Sequence, residues 1–151
     1  MVPSVDYHRT CAFVVGIDEY DDFPTLKNGV GDALAVEEQL RKIGVQRIIS
    51  ATDCTYDQLT DKTNEYLSKL QKGDVALVYI AAHAAMYQSQ NVVLTKTSNT
   101  KNLSDTSLRV QLLLARFTIW RVVNTSTNPI LGLTPPTPCW MMKASRSATR
   151  E

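Results

Sequence analysis

The chain has 151 residues, is 44% hydrophobic and carries a formal net charge of +1. That length fits one domain with a sizeable core, and that charge makes no case for a nucleic-acid or membrane partner. The charge is uneven, however: residues 1–95 hold 8 Lys/Arg against 13 Asp/Glu, net −5, and residues 96–151 hold 8 against 2, net +6.

In chain order, residues 11–17 (Cys-Ala-Phe-Val-Val-Gly-Ile) form an apolar run of strand length. An acidic, turn-prone stretch, Asp18 to Asp22, follows, and Pro24 excludes a continuing strand. Asn28 is a candidate N-cap for a helix over 29–43, in which Ala33, Val36, Leu40 and Ile43 share one face and Gly44 marks the stop. Residues 47–51 make a second short strand. Thr55-Tyr-Asp-Gln58 reads as a capping box, because each of its end residues can satisfy the other's backbone N–H. The helix it opens carries Leu59, Thr63, Tyr66 and Leu70 and ends near Gly73. Residues 74–83 (Asp-Val-Ala-Leu-Val-Tyr-Ile-Ala-Ala-His) form a third strand that runs into His83.

This β-α-β-α-β order, with continuous rather than alternating apolar strands, implies an α/β fold with a mainly parallel sheet between helix layers. Val92–Leu94 is expected as a short strand or hairpin arm, residues 105–117 as a helix around Leu108, Leu112 and Ala115, and 118–123 as a fourth strand. Beyond Asn124 the prolines at 129, 135, 136 and 138 break the pattern. The chain therefore reads as a domain over 10–123 with an irregular or disordered tail over 124–151.

Imidazole is the side chain that changes charge nearest neutral pH, and open α/β sheets place their ligands beyond the carboxyl ends of the strands. His83 is accordingly the first candidate for chemistry. No phosphate-binding glycine loop follows the first strand, and no serine elbow is present. The acids Asp18, Glu19, Asp21 and Asp22 with Asp53 read as a solvated loop, with a magnesium-type site as the alternative. The three cysteines, Cys11, Cys54 and Cys139, have no metal spacing and suggest no disulfide framework. No metal is expected, no signal peptide or membrane run is visible, and a reducing, cytoplasmic setting is expected.

Three segments, in order, resemble one family. They are Ala12 to Tyr20 (Ala-Phe-Val-Val-Gly-Ile-Asp-Glu-Tyr), Leu26 to Ala33 (Leu-Lys-Asn-Gly-Val-Gly-Asp-Ala) and Lys72 to His83 (Lys-Gly-Asp-Val-Ala-Leu-Val-Tyr-Ile-Ala-Ala-His). They resemble the caspase-like cysteine peptidases, nearest to the paracaspase and metacaspase branches. The resemblance implies a three-layer sandwich and hydrolysis of peptide bonds by a Cys-His pair, with no cofactor. His83 matches the family's histidine, which activates the thiol and then protonates the leaving amine. Asp32 matches an acid that lines a pocket for a substrate Arg or Lys. Ala84 stands where the family's pattern Gly-His-Gly has the glycine whose N–H faces the oxyanion.

The pattern breaks at the nucleophile, which the family carries after a fourth strand in an Asp-x-Cys-Arg type sequence. Phe117 to Ser126 contain neither cysteine nor aspartate, and Cys139 follows Thr-Pro-Pro-Thr-Pro, a context foreign to a central strand. Cys139 is thus a weak candidate, and the C-terminal part reads as truncated or degenerate. The resemblance implies a caspase-like endopeptidase domain, cleaving after Arg or Lys, with little activity in this chain. The expected partner is a peptide substrate or a caspase-like protein, with dimerisation possible. Two other functions stay open: a non-catalytic interaction module that pairs through a sheet edge, and an unrelated small-ligand α/β domain.

Overall fold

The apolar runs become the centre of a sheet because they are covered on both faces. The computed structural model describes residues 7–115 and 142–145. β1 (Thr10–Gly16) is buried along its whole length, with β2 (Arg47–Thr52) parallel on one side and β3 (Val75–Tyr87) parallel on the other. Alternate residues of a strand point to opposite faces, which divides the core in two. Cys11, Phe13 and Val15 join Ile49, Val78 and Ile80 against Leu59 and Tyr66 of α2 (Tyr56–Lys69). Ala12 and Val14 join Tyr79 and Ala81 against Ala33 and Leu40 of α1 (Gly29–Lys42). The two helices therefore lie on opposite faces, and the architecture is helix, sheet, helix.

The helix ends follow local chemistry, with one exception. Thr55 and Gln58 form the expected capping box: the Gln58 amide donates to Thr55 Oγ1 at 3.3 Å and the Thr55 amide donates to Gln58 Oε1 at 3.0 Å. α1 closes on Gly44, whose φ of +98° suits glycine; its N–H donates to the Arg41 carbonyl and that of Val45 to the Leu40 carbonyl, the paired bonds of a Schellman stop. At its start, Asn28 makes no side-chain cap, contrary to expectation. Asp18 takes that role from the loop after β1, accepting the N–H of Gly29 at 2.6 Å and of Val30 at 3.1 Å. A remote carboxylate satisfies the orphan amides, and its charge suits the helix N-terminus.

β3 does not stop at His83. It continues to Tyr87, turns at Gln88 and Ser89, and returns antiparallel as β4 (Gln90–Leu94). Both turn residues have positive φ, as a type I′ hairpin turn demands. The expected helix over 105–117 is also divided, within the described residues, into α3 (Leu103–Thr106), β5 (Ser107–Arg109) and α4 (Val110–Ala115). Hydroxyls explain the break. The Thr106 carbonyl accepts from Thr95 Oγ1 and Ser98 Oγ, so it is drawn away from the helical ladder, while Thr106 and Ser107 hydroxyls bond back to Asn102 and Leu103.

The strand order is β2-β1-β3-β4-β5, and β6 (Met142–Ser145) pairs parallel with β3 from Ile80↔Met142 to His83↔Ser145. β4 covers β3 only over Ala84–Tyr87, so Ile80–His83 had an edge left to pair. The four residues of β6 fall within the stretch expected to be irregular. The proposed fourth strand at 118–123 and Cys139 lie outside the described residues.

One ion pair ties β2 to the start of β3. Asp74, whose side chain is 5% exposed, accepts Arg47 Nη1 at 2.8 Å and the Gln71 amide at 2.7 Å. The Arg47 hydrogen bond, helped by the Gln71 amide and opposed by burial, holds the Asp74 carboxyl below the usual aspartate range. A depressed carboxyl stabilises the fold fully above its unfolded value, about 4, and loses that contribution as pH falls through the folded value. Glu65 is likewise lowered, to about 2, by Lys69 and Lys62, but it is solvent-facing and salt screens it. In melts taken between neutral pH and about 2, Asp74→Asn is expected to flatten the acid limb below about pH 4. That flattening should persist at high salt; an acid limb identical to the parent's would count against this assignment.

Candidate active site

His83 stands where the sheet changes character. The residues before it pair parallel with β1 and β6, and those after it pair antiparallel with β4. It shares strand parity with Tyr79 and Ala81, which places it on the α1 face. It is only 3% exposed.

The loop between β1 and α1 closes over it. The Tyr20 hydroxyl accepts the His83 backbone N–H at 2.8 Å and donates to the Ile17 carbonyl at 3.0 Å. Burial pushes the Tyr20 phenol upward, so it keeps the proton that the second bond needs. The Tyr20 and His83 rings lie 4.8 Å apart, and Phe23 packs edge-on against Tyr20. His83 Nε2 is 2.7 Å from the Pro24 carbonyl oxygen. A carbonyl only accepts, so Nε2 carries a proton. Nδ1 is buried and has no hydrogen-bond partner. A fixed ring with one nitrogen anchored and the other unpaired leaves Nδ1 open to a group brought to it.

The acidic loop has a structural duty. Asp53, at φ +43°, accepts the amides of Asp18 at 2.8 Å and Glu19 at 3.0 Å through Oδ1. Lys96 pairs with Glu19 at 2.7 Å, and its carbonyl accepts the Asp21 amide. These bonds, with Asp18 on the start of α1, set the path of residues 17–24 and so the place of the Pro24 carbonyl. Asp18 and Asp53 bind backbone amides, so these two acids hold the loop together. Among the described residues no group of three His, Cys, Asp or Glu side chains could hold a metal ion.

Asp32 is half-buried in the first turn of α1. A Cβ on Gly29 would lie 2.9 Å from the Ala81 carbonyl, so that turn reaches the strand end that carries His83. Ala84 lies inside β3, and it is not among the described non-glycine residues with positive φ. The alanine is therefore accommodated without a backbone angle reserved for glycine. The two-residue turn makes Tyr87↔Gln90 a hydrogen-bonded pair, and alternation makes Ala84↔Val93 a non-bonded one. The Ala84 N–H thus points away from β4.

Both described cysteines are buried and free. Burial raises the Cys11 thiol and pushes Cys54 up to about 11, the opposite of an activated thiolate. Tyr20 and the Pro24 carbonyl belong to the site's surroundings and carry no motif of their own. Among the described residues no helix is long and apolar enough to cross a membrane.

No family model matches the chain, and no curated protein matches it. A similar solved structure is that of the Drosophila initiator caspase Dronc, at a TM-score of 0.51 and 15% sequence identity, covering 76% of this chain and 43% of that one. The likeness is one of fold: the chain has a caspase-like fold, and it spans less than half the length of that relative.

Proposed function

We propose that this chain is a caspase-like peptidase domain of the paracaspase or metacaspase type. On this reading it recognises peptides ending in Arg or Lys and turns them over little or not at all. The observation that carries the reading is His83: buried, tethered through Nε2–H to the Pro24 carbonyl, with Nδ1 unpaired. The reading assigns His83 the role of base at Nδ1, Ala84 the backbone donor to the developing oxyanion, and Asp32 the partner of the substrate's basic side chain. The low turnover of this reading rests on the described thiols, Cys11 and Cys54, which are buried and held protonated.

The test is binding and cleavage of a fluorescent Arg-ended peptide by the purified chain. Measurable binding is expected, weakened about tenfold or more by Asp32→Asn, in line with loss of a charge-assisted pair of about 1.5–3 kcal/mol. Absence of binding, or binding indifferent to Asp32, would overturn the specificity. Efficient cleavage abolished by His83→Ala would overturn the low turnover.

A further inference from the structure

The sheet has a second margin, away from His83. β2 pairs with β1 on one side, and among the described residues no strand pairs with its other side. The Asp53 N–H donates to the Gly16 carbonyl, which fixes the parity of the strand. Ile49 and Ala51 turn their backbone groups to β1, and Ile48, Ser50 and Thr52 turn theirs outward. Folded proteins guard such an edge with charged residues, proline or a bulge. Ile48 to Thr52 contain no charge and no proline, and their register with β1 runs without a bulge. The strand's one charged residue, Arg47, is engaged by Asp74 and the Lys69 carbonyl.

An open groove of about 460 Å³ adjoins this edge. It is lined by Ala51 and Cys54 and by Gln58, Asp61, Lys62 and Glu65, whose spacing puts them on one stripe of α2. Ile49 and Ala51 both pack toward the α2 side of the core, and the small Ala51 leaves space under the helix. Glu65 already holds Lys62 and Lys69 at 2.9 and 2.7 Å, whereas Asp61 has no ion-pair partner among the described residues. We infer that β2 is a docking edge for an extended segment of another protein that carries a Lys or Arg among uncharged residues. The segment adds a strand through the N–H and C=O groups of Ile48, Ser50 and Thr52. Register partners share a face, so its residue opposite Ala51 points into the groove. A basic residue there lays its aliphatic stem over Ala51 and carries its charge to Asp61. β2 and β3 flank β1 on opposite sides, so this docking is independent of the peptidase reading of His83.

The test is amide hydrogen exchange of the full chain, read residue by residue by NMR. It is run with and without an acetylated, amidated hexapeptide of Val and Thr residues with one central Lys. In the free chain the Ile48, Ser50 and Thr52 amides are expected to exchange at least about tenfold faster than those of Ile49 and Ala51. At saturation the peptide is expected to slow those three by at least about tenfold. A fully N-methylated counterpart keeps the side chains but loses the ladder donors, and should protect none of them. Replacing the peptide's Lys by Glu is expected to weaken binding at least about threefold at low salt, and Asp61→Asn to remove that preference. Edge amides already slow in the free chain, no added protection with the peptide, or equal protection by the N-methylated form overturns the inference. So does equal binding of the Lys and Glu forms, or a preference that survives Asp61→Asn. Protection is read at β2 itself, so the outcome does not depend on whether an Arg-ended peptide binds near His83.

Discussion

Replacing Tyr66 with alanine is expected to cost about 3–5 kcal/mol, a large part of the roughly 5–15 kcal/mol that holds a domain folded. Tyr66 is fully buried at the junction of α2 and the sheet. Its ring stacks on Phe13 with centroids 5.2 Å apart and planes 16° from parallel. Its hydroxyl lies 3.3 Å from the carbonyls of both Cys11 and Leu77, so it joins the backbones of two adjacent strands. Burial holds the phenol protonated, which keeps it a donor. Truncation to alanine removes the ring, opens a cavity against Phe13 and leaves both carbonyls without that donor. Tyr66→Phe separates the two contributions: it keeps the stack and is expected to cost only about 1 kcal/mol. Urea denaturation followed by circular dichroism measures both. An alanine variant within about 1 kcal/mol of the parent would mean that the α2 face of the core is not organised around this ring.

The centre of this fold was legible in the sequence, while its margins were not, for physical reasons that differ by segment. Val75 to His83 is apolar without alternation, which forces burial on both faces, and Thr55 with Gln58 announces a helix start by local bonds alone. Asp18 as the cap of α1 could not be read locally, because the bond spans 11 residues and depends on the loop's path. The hairpin after His83 turns on Gln88 and Ser89, which lack the glycine or asparagine that marks such turns. The helix expected over 105–117 has the right apolar spacing, yet buried hydroxyls from Thr95 and Ser98 claim the Thr106 carbonyl.

The site divides in the same way. His83 was visible as an imidazole after an apolar strand. Its anchor is a main-chain carbonyl that any residue could supply, so Pro24 carried no signal, and Tyr20 could be recognised only as a hydroxyl with a buried destination. The pieces of sequence that position His83 are thus loop residues fixed by long-range bonds, whereas the strand that carries it is fixed by composition.

Two glycines at the β1–α1 junction are expected to respond to alanine with opposite signs, and the larger effect bears on the site. A Cβ on Gly16 would lie 2.6 Å from the Gly29 carbonyl oxygen, 2.7 Å from Ala33 Cβ and 2.8 Å from Val30 Cα. None of these is the free end of a flexible side chain, so Gly16→Ala has to push α1 away from the end of β1. Such overpacking costs about 1–3 kcal/mol, and the displaced helix start weakens the Asp18 cap, worth about a further 1 kcal/mol. A Cβ on Gly31 meets nothing within 4 Å, and the residue lies in α1. Gly31→Ala is therefore expected to stabilise by about 0.5–1 kcal/mol, through helix propensity and a less free unfolded chain. Denaturant midpoints compare the two, and hydrogen exchange at the Gly29 and Val30 amides reports the cap directly. Faster exchange there in Gly16→Ala, together with a lower denaturant midpoint, is the expected pair of results. The same loop that caps α1 also carries Tyr20 and Pro24 to His83. A Gly16→Ala variant as stable as the parent, with the amides still protected, would show that helix and strand can separate at this contact without cost, and that the His83 setting does not depend on their close approach.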